Sequence, residues 1–367
     1  MTTSAEPPTV AMPPAEALVG RILEAGVGSL DMYSIYLGDQ LGYYRVLHEG
    51  GPLTPAELAA RAGTNERYAR EWLEQQATTG ILAVDDAQAG AQERRFSLPP
   101  GYEAILVDPL SDMFLAPISR LMVACFAQGQ ALVEAFRTGG GVSWSQFGDP
   151  IRSAQAAFNR PFFDHGLVPG CISQLPGLDA ALKAPGARIA EIGSGAGWAA
   201  ISLARAYPSA TVAAYDIDGP SVAMAKANLT GSGVEDRVTF NHQDAGDAGI
   251  NGQFDLVCAF ECIHDMPDPV SVLSTMRRLA KPGGTVLVMD ERVADNFGDS
   301  NDLIERLFYG ASLAVCLPDS MSHQPSVATG TVMRTSTFTG YAEAAGFSDV
   351  EVLPMEHPMF RFYELTP

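Results

Sequence analysis

The sequence predicts an α/β protein in which a helical N-terminal region with a winged-helix arrangement precedes a doubly wound domain. Three observations carry that reading. From about residue 172 onward, short apolar runs alternate with helical periodicities, as in a parallel sheet covered by helices on both faces. A glycine-rich turn, EIGSGAGW, joins the first of those runs to the first of those helices. Upstream, two short capped helices lead into a small hairpin. At 367 residues, 47% of them hydrophobic, the chain exceeds the usual size of one core, so two domains are expected.

Residues 1–16 carry Pro7, Pro8, Pro13 and Pro14 with little to bury and read as a disordered tail. Between 17 and 49, Leu18, Ile22, Leu30, Ile35, Leu37, Leu41 and Val46 fall at helical spacing. Thr54 with Glu57 three positions on forms a capping-box signature, Gly63 stops that helix, and Asn65 starts another that ends near Gly80. Residues 81–84 and the segment around Phe96 then pair as a hairpin. These pieces make residues 17–110 a winged-helix domain. Residues 111–170 read as a helical connector containing the glycine-rich stretch RTGGGVSWSQFGDP, and residues 171–367 as the second domain. There the strands are 188–192, 211–216, 238–241, 256–260, 286–289, 350–353 and 359–363, with helices over 198–207, 222–229 and 270–279.

Composition excludes some functions. A formal net charge of -20 and a pI near 4.6 argue against a phosphate-backbone binder. The second helix of the winged region alternates arginine with glutamate and so offers no continuous positive face, which argues against nucleic acid as a partner. Five cysteines, odd in number and set in apolar stretches, suit free thiols in a reducing compartment. No apolar run reaches spanning length and the N-terminus lacks a signal-peptide pattern, so a soluble, cytoplasmic protein without membrane contact is expected.

Ligands of doubly wound sheets bind at the carboxyl ends of the strands, so the loops there carry the chemistry. Glu191, Gly193, Gly195 and Gly197 make the first loop, where glycine lets the backbone turn sharply and approach a ligand. The next strand ends in Asp216, placed to accept from both hydroxyls of a ribose. Adenosine is the expected anchor. NAD(P) and S-adenosylmethionine share that logic, but the dinucleotide pattern G-x-G-x-x-G would put its third glycine at Trp198, and the spacing here is G-x-G-x-G. Asp244, in FNHQDAGD, is placed to accept from the adenine amino group.

Through EIGSGAG, YDID, HQDA, FDLVCAF and LAKPGG, residues 170–367 resemble class I S-adenosylmethionine-dependent methyltransferases. Apart from its tail, the whole chain is similar to bacterial, particularly actinobacterial, methyltransferases with a winged-helix domain before the catalytic one, and more distantly to plant-type O-methyltransferases. The resemblance implies a Rossmann-like seven-stranded sheet with an antiparallel hairpin at one edge, S-adenosylmethionine as cofactor, a small-molecule substrate and a homodimer formed through the N-terminal helices. It places Glu191, Gly193, Gly195 and Gly197 under the methionine part of the cofactor, Asp216 at the ribose and Asp244 at the adenine. Ile217 and Ala245 would flank the adenine, with Phe260 and Glu261 beside the cofactor.

The stretch ECIHDMPDP, 261–269, follows the strand FDLVCAF and stands where the plant-type enzymes have H-D-W-S-D, so His264 matches their general base. Independent chemistry agrees. A phenol with a pKa near ~10 is mostly protonated at neutral pH, and an imidazole near ~6.5 can take its proton as the new bond forms. Asp265 is expected to point away and cap the next helix. The resemblance offers Asp290, with Glu291 beside it, to orient His264, while Met333 stands where a second carboxylate is expected. Cys258, Cys262 and His264 share strand parity, but a structural zinc site wants four ligands and nothing nearby completes the set, so no metal is expected. His323 reads as a loop histidine near the pocket. O-methylation of a small aromatic or hydroxylated molecule is the favoured activity. A non-methylating use of the same cofactor and a cofactor-sensing, DNA-binding regulator are the alternatives.

Overall fold

The computed structural model describes residues 14–246, 253–299 and 302–367. The expected tail lies outside the described residues up to position 13, and Ala15 and Glu16 already belong to the first helix. The chain forms two compact units, Met1–Val123 and Ala124–Pro367.

The first unit begins with α1 (Ala15–Gln40) and α2 (Tyr43–Gly50), parted at Gly42, whose φ of 68° is left-handed. The Thr54–Glu57 capping box closes the start of α3 (Pro55–Ala62), and Gly63 ends it at a φ of 67°. Asn65 accepts the Arg67 N–H at the start of α4 (Glu66–Thr78). Strands β1 (Ala83–Val84) and β2 (Phe96–Ser97) pair antiparallel, and Leu53 bridges to Phe96. A short α5 (Glu103–Leu106) follows. Tyr43, Tyr44, Trp72, Leu58, Leu73 and Phe96 fill the core, and the Trp72 indole N–H donates to the Ser34 carbonyl at 2.8 Å. Along α1, by contrast, Leu18, Val19, Ile22, Leu23, Val27 and Leu30 are exposed.

Helices α6 (Ala116–Ala127), α7 (Gly129–Thr138), α8 (Trp144–Pro161), α9 (Leu167–Gly170) and α10 (Pro176–Lys183) precede the large sheet. Helix α8 is broken at Gly148, at a φ of 73°, and a single π-helical turn over Phe162–Gly166 follows it. The stretch before α8 lies flat on a later segment. The Val142 N–H donates to the Pro318 carbonyl at 3.0 Å and the Trp144 N–H to Asp319 Oδ1 at 2.6 Å. A side chain at Gly141 would collide with the backbone of Pro318 and Ser322.

The sheet alternates strand and helix as β3 (Arg188–Ile192), α11 (Trp198–Ala206), β4 (Thr211–Asp216), α12 (Gly219–Leu229), β5 (Val238–His242), β6 (Phe254–Phe260), α13 (Pro269–Leu279) and β7 (Ala280–Glu291). After α14 (Leu303–Ala311), a π turn over Ser312–Cys316, α15 (Leu317–Ser322) and α16 (Thr335–Ala344), the chain ends in β8 (Asp349–Val352) and β9 (Phe360–Thr366). Strand order is β5-β4-β3-β6-β7-β9-β8, the first five parallel and β9 antiparallel to both neighbours. This is the expected seven-stranded sheet with a hairpin at one edge. All seven residues of β6 are buried because helices cover both faces. Alternate residues feed opposite cores: Ile189, Leu256 and Cys258 enter one, Ala190, Val257 and Ala259 the other. Strand order reverses between β3 and β6, so a crevice opens at their carboxyl ends.

One ion pair ties α8 to that end of the sheet. Arg152, buried, donates to both oxygens of Asp218 at 2.6 and 3.0 Å, while Asp218 accepts the Ser221 N–H at the start of α12. Burial opposes the Asp218 charge, but the guanidinium and the Ser221 hydrogen bonds hold its carboxyl below the usual carboxylate range. Arg152→Met leaves that carboxylate unpaired. It should destabilise the protein by about 3–5 kcal/mol in denaturant unfolding. Since the Asp218 pKa is depressed on folding, this contribution is present above its unfolded value and is lost as the pH falls through the folded one.

Candidate active site

Two loops meet in the crevice. The first leaves β3 as Gly193–Ser194–Gly195–Ala196–Gly197, with φ of 70°, 50° and 79° at the three glycines, a region that side chains with a Cβ rarely enter. The N–H groups of Gly193 and Ser194 donate to the Tyr215 carbonyl at 2.8 and 3.1 Å, pinning the loop to β4. A Cβ on Gly193 would sit 2.6 Å from Cys262 Sγ, and one on Gly197 would strike the Phe240 ring. Above Gly195 there is open space, and a Cβ there would meet nothing within 4 Å.

Asp216 ends β4. Its Oδ2 accepts the Gly195 N–H at 2.7 Å and its Oδ1 the Asp218 N–H at 2.8 Å, so the carboxylate is rigidly placed with lone pairs left over. Burial raises its pKa against the pull of those N–H groups. Glu191 is buried at the end of β3, and its Oε2 has no hydrogen-bond partner among the described residues. Burial, with the Asp216 charge nearby, pushes its carboxyl up to about 8. That oxygen is an orphan unless a ligand donates to it.

The second loop leaves β6. Glu261 holds a φ of 52°, unusual for a residue with a side chain, and its N–H donates to the Met289 carbonyl at 2.8 Å. A single 3₁₀ turn, Ile263–Asp265, then carries His264, which is 2% exposed. Its Nδ1 lies 2.7 Å from Asp290 Oδ1 and 2.9 Å from Glu291 Oε2, both at the end of β7. Carboxylates only accept, so Nδ1 carries the hydrogen and Nε2 is left to exchange a proton. Burial alone would lower the His264 pKa, but the charges of Asp265, Asp290 and Glu291 outweigh it and hold the imidazole well above its usual value. Within the carboxylate pair, burial raises both acids and proximity to His264 lowers both. The net result holds the Asp290 carboxyl below its usual range and the Glu291 carboxyl well above it.

Asp265 corrects one expectation. It does not cap α13, where Asp268 accepts the Ser271 N–H at 3.0 Å. Its Oδ1 stands 3.1 Å from His264 Nε2 instead. Met333, as read from the sequence, brings no carboxylate: it is buried in an apolar cluster with Ile263 and Phe338. Cys258 and Cys262 are not grouped with His264. Their thiols point to the carbonyls of Ala190 and Ile192 at 3.5 and 3.4 Å.

The remaining anticipated residues divide. Ile217 is exposed beside the Asp216 turn, and its carbonyl is 2.9 Å from His242 Nε2. Asp244 is exposed and accepts the Gly246 N–H at 2.8 Å. Ala245 and Phe260 are buried in the two cores, Phe260 with its ring 6.0 Å from that of Phe163. His323 is more than half exposed, 3.9 Å from Asp319. No pattern in the sequence singles out Cys316 and Asp319, which approach the His264 turn from the segment after β7.

Residues 183–335 match a family model described as "Methyltransferase domain", and residues 30–107 one described as "Rv2258c-like winged HTH domain". The chain carries a methyltransferase domain. It is 33% identical over 105 residues, 29% of its length, to the ubiquinone biosynthesis O-methyltransferase of Azotobacter vinelandii, and spans 44% of that relative. Nearly the whole chain shares its fold with two solved structures. Human N-acetylserotonin methyltransferase in complex with SAM has a TM-score of 0.68 at 20% identity, over 97% of this chain and 99% of that one. N,N-8-amino-8-demethyl-D-riboflavin dimethyltransferase (RosA) of Streptomyces davawensis has 0.60 at 20%, over 95% and 98%.

Within the methyltransferase domain the first two loop glycines differ in surroundings, which makes them separable. Gly195→Ala should cost about 1–2 kcal/mol for its left-handed backbone. Gly193→Ala should add roughly 1–3 kcal/mol for overpacking against Cys262. Urea unfolding of the two variants reads the difference.

Proposed function

We propose that the protein transfers the methyl group of S-adenosylmethionine to a small, aromatic or hydroxylated acceptor, with oxygen as the methylated atom and His264 as the general base. The observation that carries this is the buried His264–Asp290 pair at the crevice, on a turn whose Cys262 abuts the glycine loop. The residues fit the cofactor. The orphaned Glu191 Oε2 and the open space at Gly195 suit its amino acid part, and the spare lone pairs of Asp216 suit its ribose hydroxyls. Ile217 and Asp244 are exposed on the following turns, where the adenine would lie.

When bound, the cofactor supplies an electrophilic methyl group whose C–S bond breaks with its electron pair left on sulfur. The attacking hydroxyl must then shed one proton. Asp290 fixes the Nδ1 hydrogen, so Nε2 is the atom that takes it, and the resulting imidazolium is stabilised by the carboxylates around it.

The winged-helix region serves in this reading as scaffold and dimer element. Four of its arginines are paired with glutamates, Arg67 to Glu71, Arg70 to Glu66, Arg94 to Glu74 and Arg95 to Glu57, which disfavours a nucleic-acid role. The exposed apolar side chains of α1 suit a second copy of the chain. No helix among the described residues is long and apolar enough to cross a membrane.

Calorimetry should detect binding of S-adenosylmethionine and of its demethylated product; absence of both would sink the proposal. Transfer of labelled methyl to an acceptor separates it from a non-methylating use of the same cofactor. His264→Ala should lower transfer by about 100- to 10,000-fold while leaving cofactor affinity unchanged. Because the carboxylates hold His264 above its usual pKa, kcat/KM should still be rising with pH beyond the ordinary histidine range. For the dimer, Ile22→Glu should shift sedimentation toward the monomer.

A further inference from the structure

The acceptor side of His264 is not neutral. Asp265 Oδ1 faces Nε2 at 3.1 Å, is itself buried, and has no hydrogen-bond partner among the described residues. Other acids crowd the same space from every element packed there. Asp290 and Glu291 come from β7, Glu261 from the end of β6 and Asp319 from α15. The Cys316 thiol, from the π turn, is pushed up to about 12 by burial and stays neutral. Among the described residues, no lysine or arginine pairs with Asp265, Glu261, Asp290, Glu291 or Asp319, and Arg152 is committed to Asp218 and Asp149.

This arrangement conflicts with a base waiting in its neutral form. With Nδ1 donating to Asp290, a neutral imidazole would point the Nε2 lone pair at a carboxylate oxygen 3.1 Å away. A proton between the two relieves that repulsion, so the cavity by itself favours a charged His264 that cannot accept. A cation placed on Asp265 removes the conflict. Resting on the function proposed above, we propose that the acceptor carries a protonated amine next to its methyl-accepting hydroxyl, and that Asp265 binds this amine and thereby frees His264 to act. The 3.1 Å between Nε2 and Oδ1 suits donors on neighbouring atoms of one small molecule.

Protons balance in this scheme. As the ammonium settles on Asp265, the Nε2 proton leaves to solvent. The hydroxyl proton then takes its place as the O–CH₃ bond forms and the C–S bond breaks, and the ammonium keeps its own protons throughout. Asp265 is thus a residue that selects the substrate and sets the base, whereas a merely structural role would leave both selectivity and pH profile untouched.

The probes are 2-(aminomethyl)phenol and its neutral counterpart 2-(hydroxymethyl)phenol, with the full chain. Wild-type protein should favour the amine by about 10- to 100-fold in kcat/KM, the span of a hydrogen bond to a charged group. In Asp265→Asn that preference should collapse, and the rising limb of the pH profile on the hydroxymethyl probe should move to lower pH, since removing a neighbouring carboxylate lowers the His264 pKa. Asp265→Ser provides the same readouts if the first variant folds poorly, and the wild-type comparison needs no variant. Equal or poorer use of the amine by wild-type protein, an unmoved pH limb, or failure to bind either probe overturns the inference. Failure to bind S-adenosylmethionine instead overturns the underlying function.

Discussion

The Nδ1 hydrogen of His264, held between the carboxylates that end β7, is the constraint around which the C-terminal unit is arranged. An imidazole at 2% exposure is tolerable only where its charge or its proton is answered. That requirement fixes where β6 must stop relative to β7, and the register of the two strands supplies it: Phe260 stands opposite Met289, one residue short of Asp290. The left-handed Glu261 then turns the chain back toward the crevice, anchored by its N–H on the Met289 carbonyl. Beyond it, Cys262 fills the notch that Gly193 leaves open. A glycine at the first loop is thus as much a condition of the histidine's position as of any ligand's.

Charge is distributed in a way the net value of -20 conceals. In the N-terminal unit several arginines pair with glutamates on the surface, where each pair contributes little. In the C-terminal unit a group of acids gathers at the carboxyl end of the sheet. Several of them, Glu191, Glu261 and Asp319 among them, are pushed up by burial toward neutrality. Proteins keep such groups at a cost in stability, and ligand sites are where that cost is commonly found.

Much of this was legible in the sequence, for reasons that can be named. Strand and helix order followed from hydrophobic period, the Thr54–Glu57 cap from spacing, and Asp216 from its place at a strand end. Asp265 was misjudged because neighbours on an extended chain point in opposite directions, whereas Ile263–Asp265 is a 3₁₀ turn that sets consecutive side chains about 120° apart. Glu291 reaches the same nitrogen as Asp290 for a similar reason, standing at the last position of β7. Asp319 and Arg152 left no local trace: their partners are distant in the chain, and pairing of that kind has no period to read.

Gly139 and Gly148, both with left-handed backbones, bracket the stretch that lies on α15. Between them the chain is clipped at Val142 and Trp144 and pressed so close at Gly141 that even a methyl group would not fit. Residues 140–147 and 317–322 are therefore fastened to one another as a single layer. Asp319, which closes one of the clips, has its carboxyl pushed up to about 7 by burial and by Asp265. The same Asp265 charge thus bears on both this clip and the histidine of the crevice.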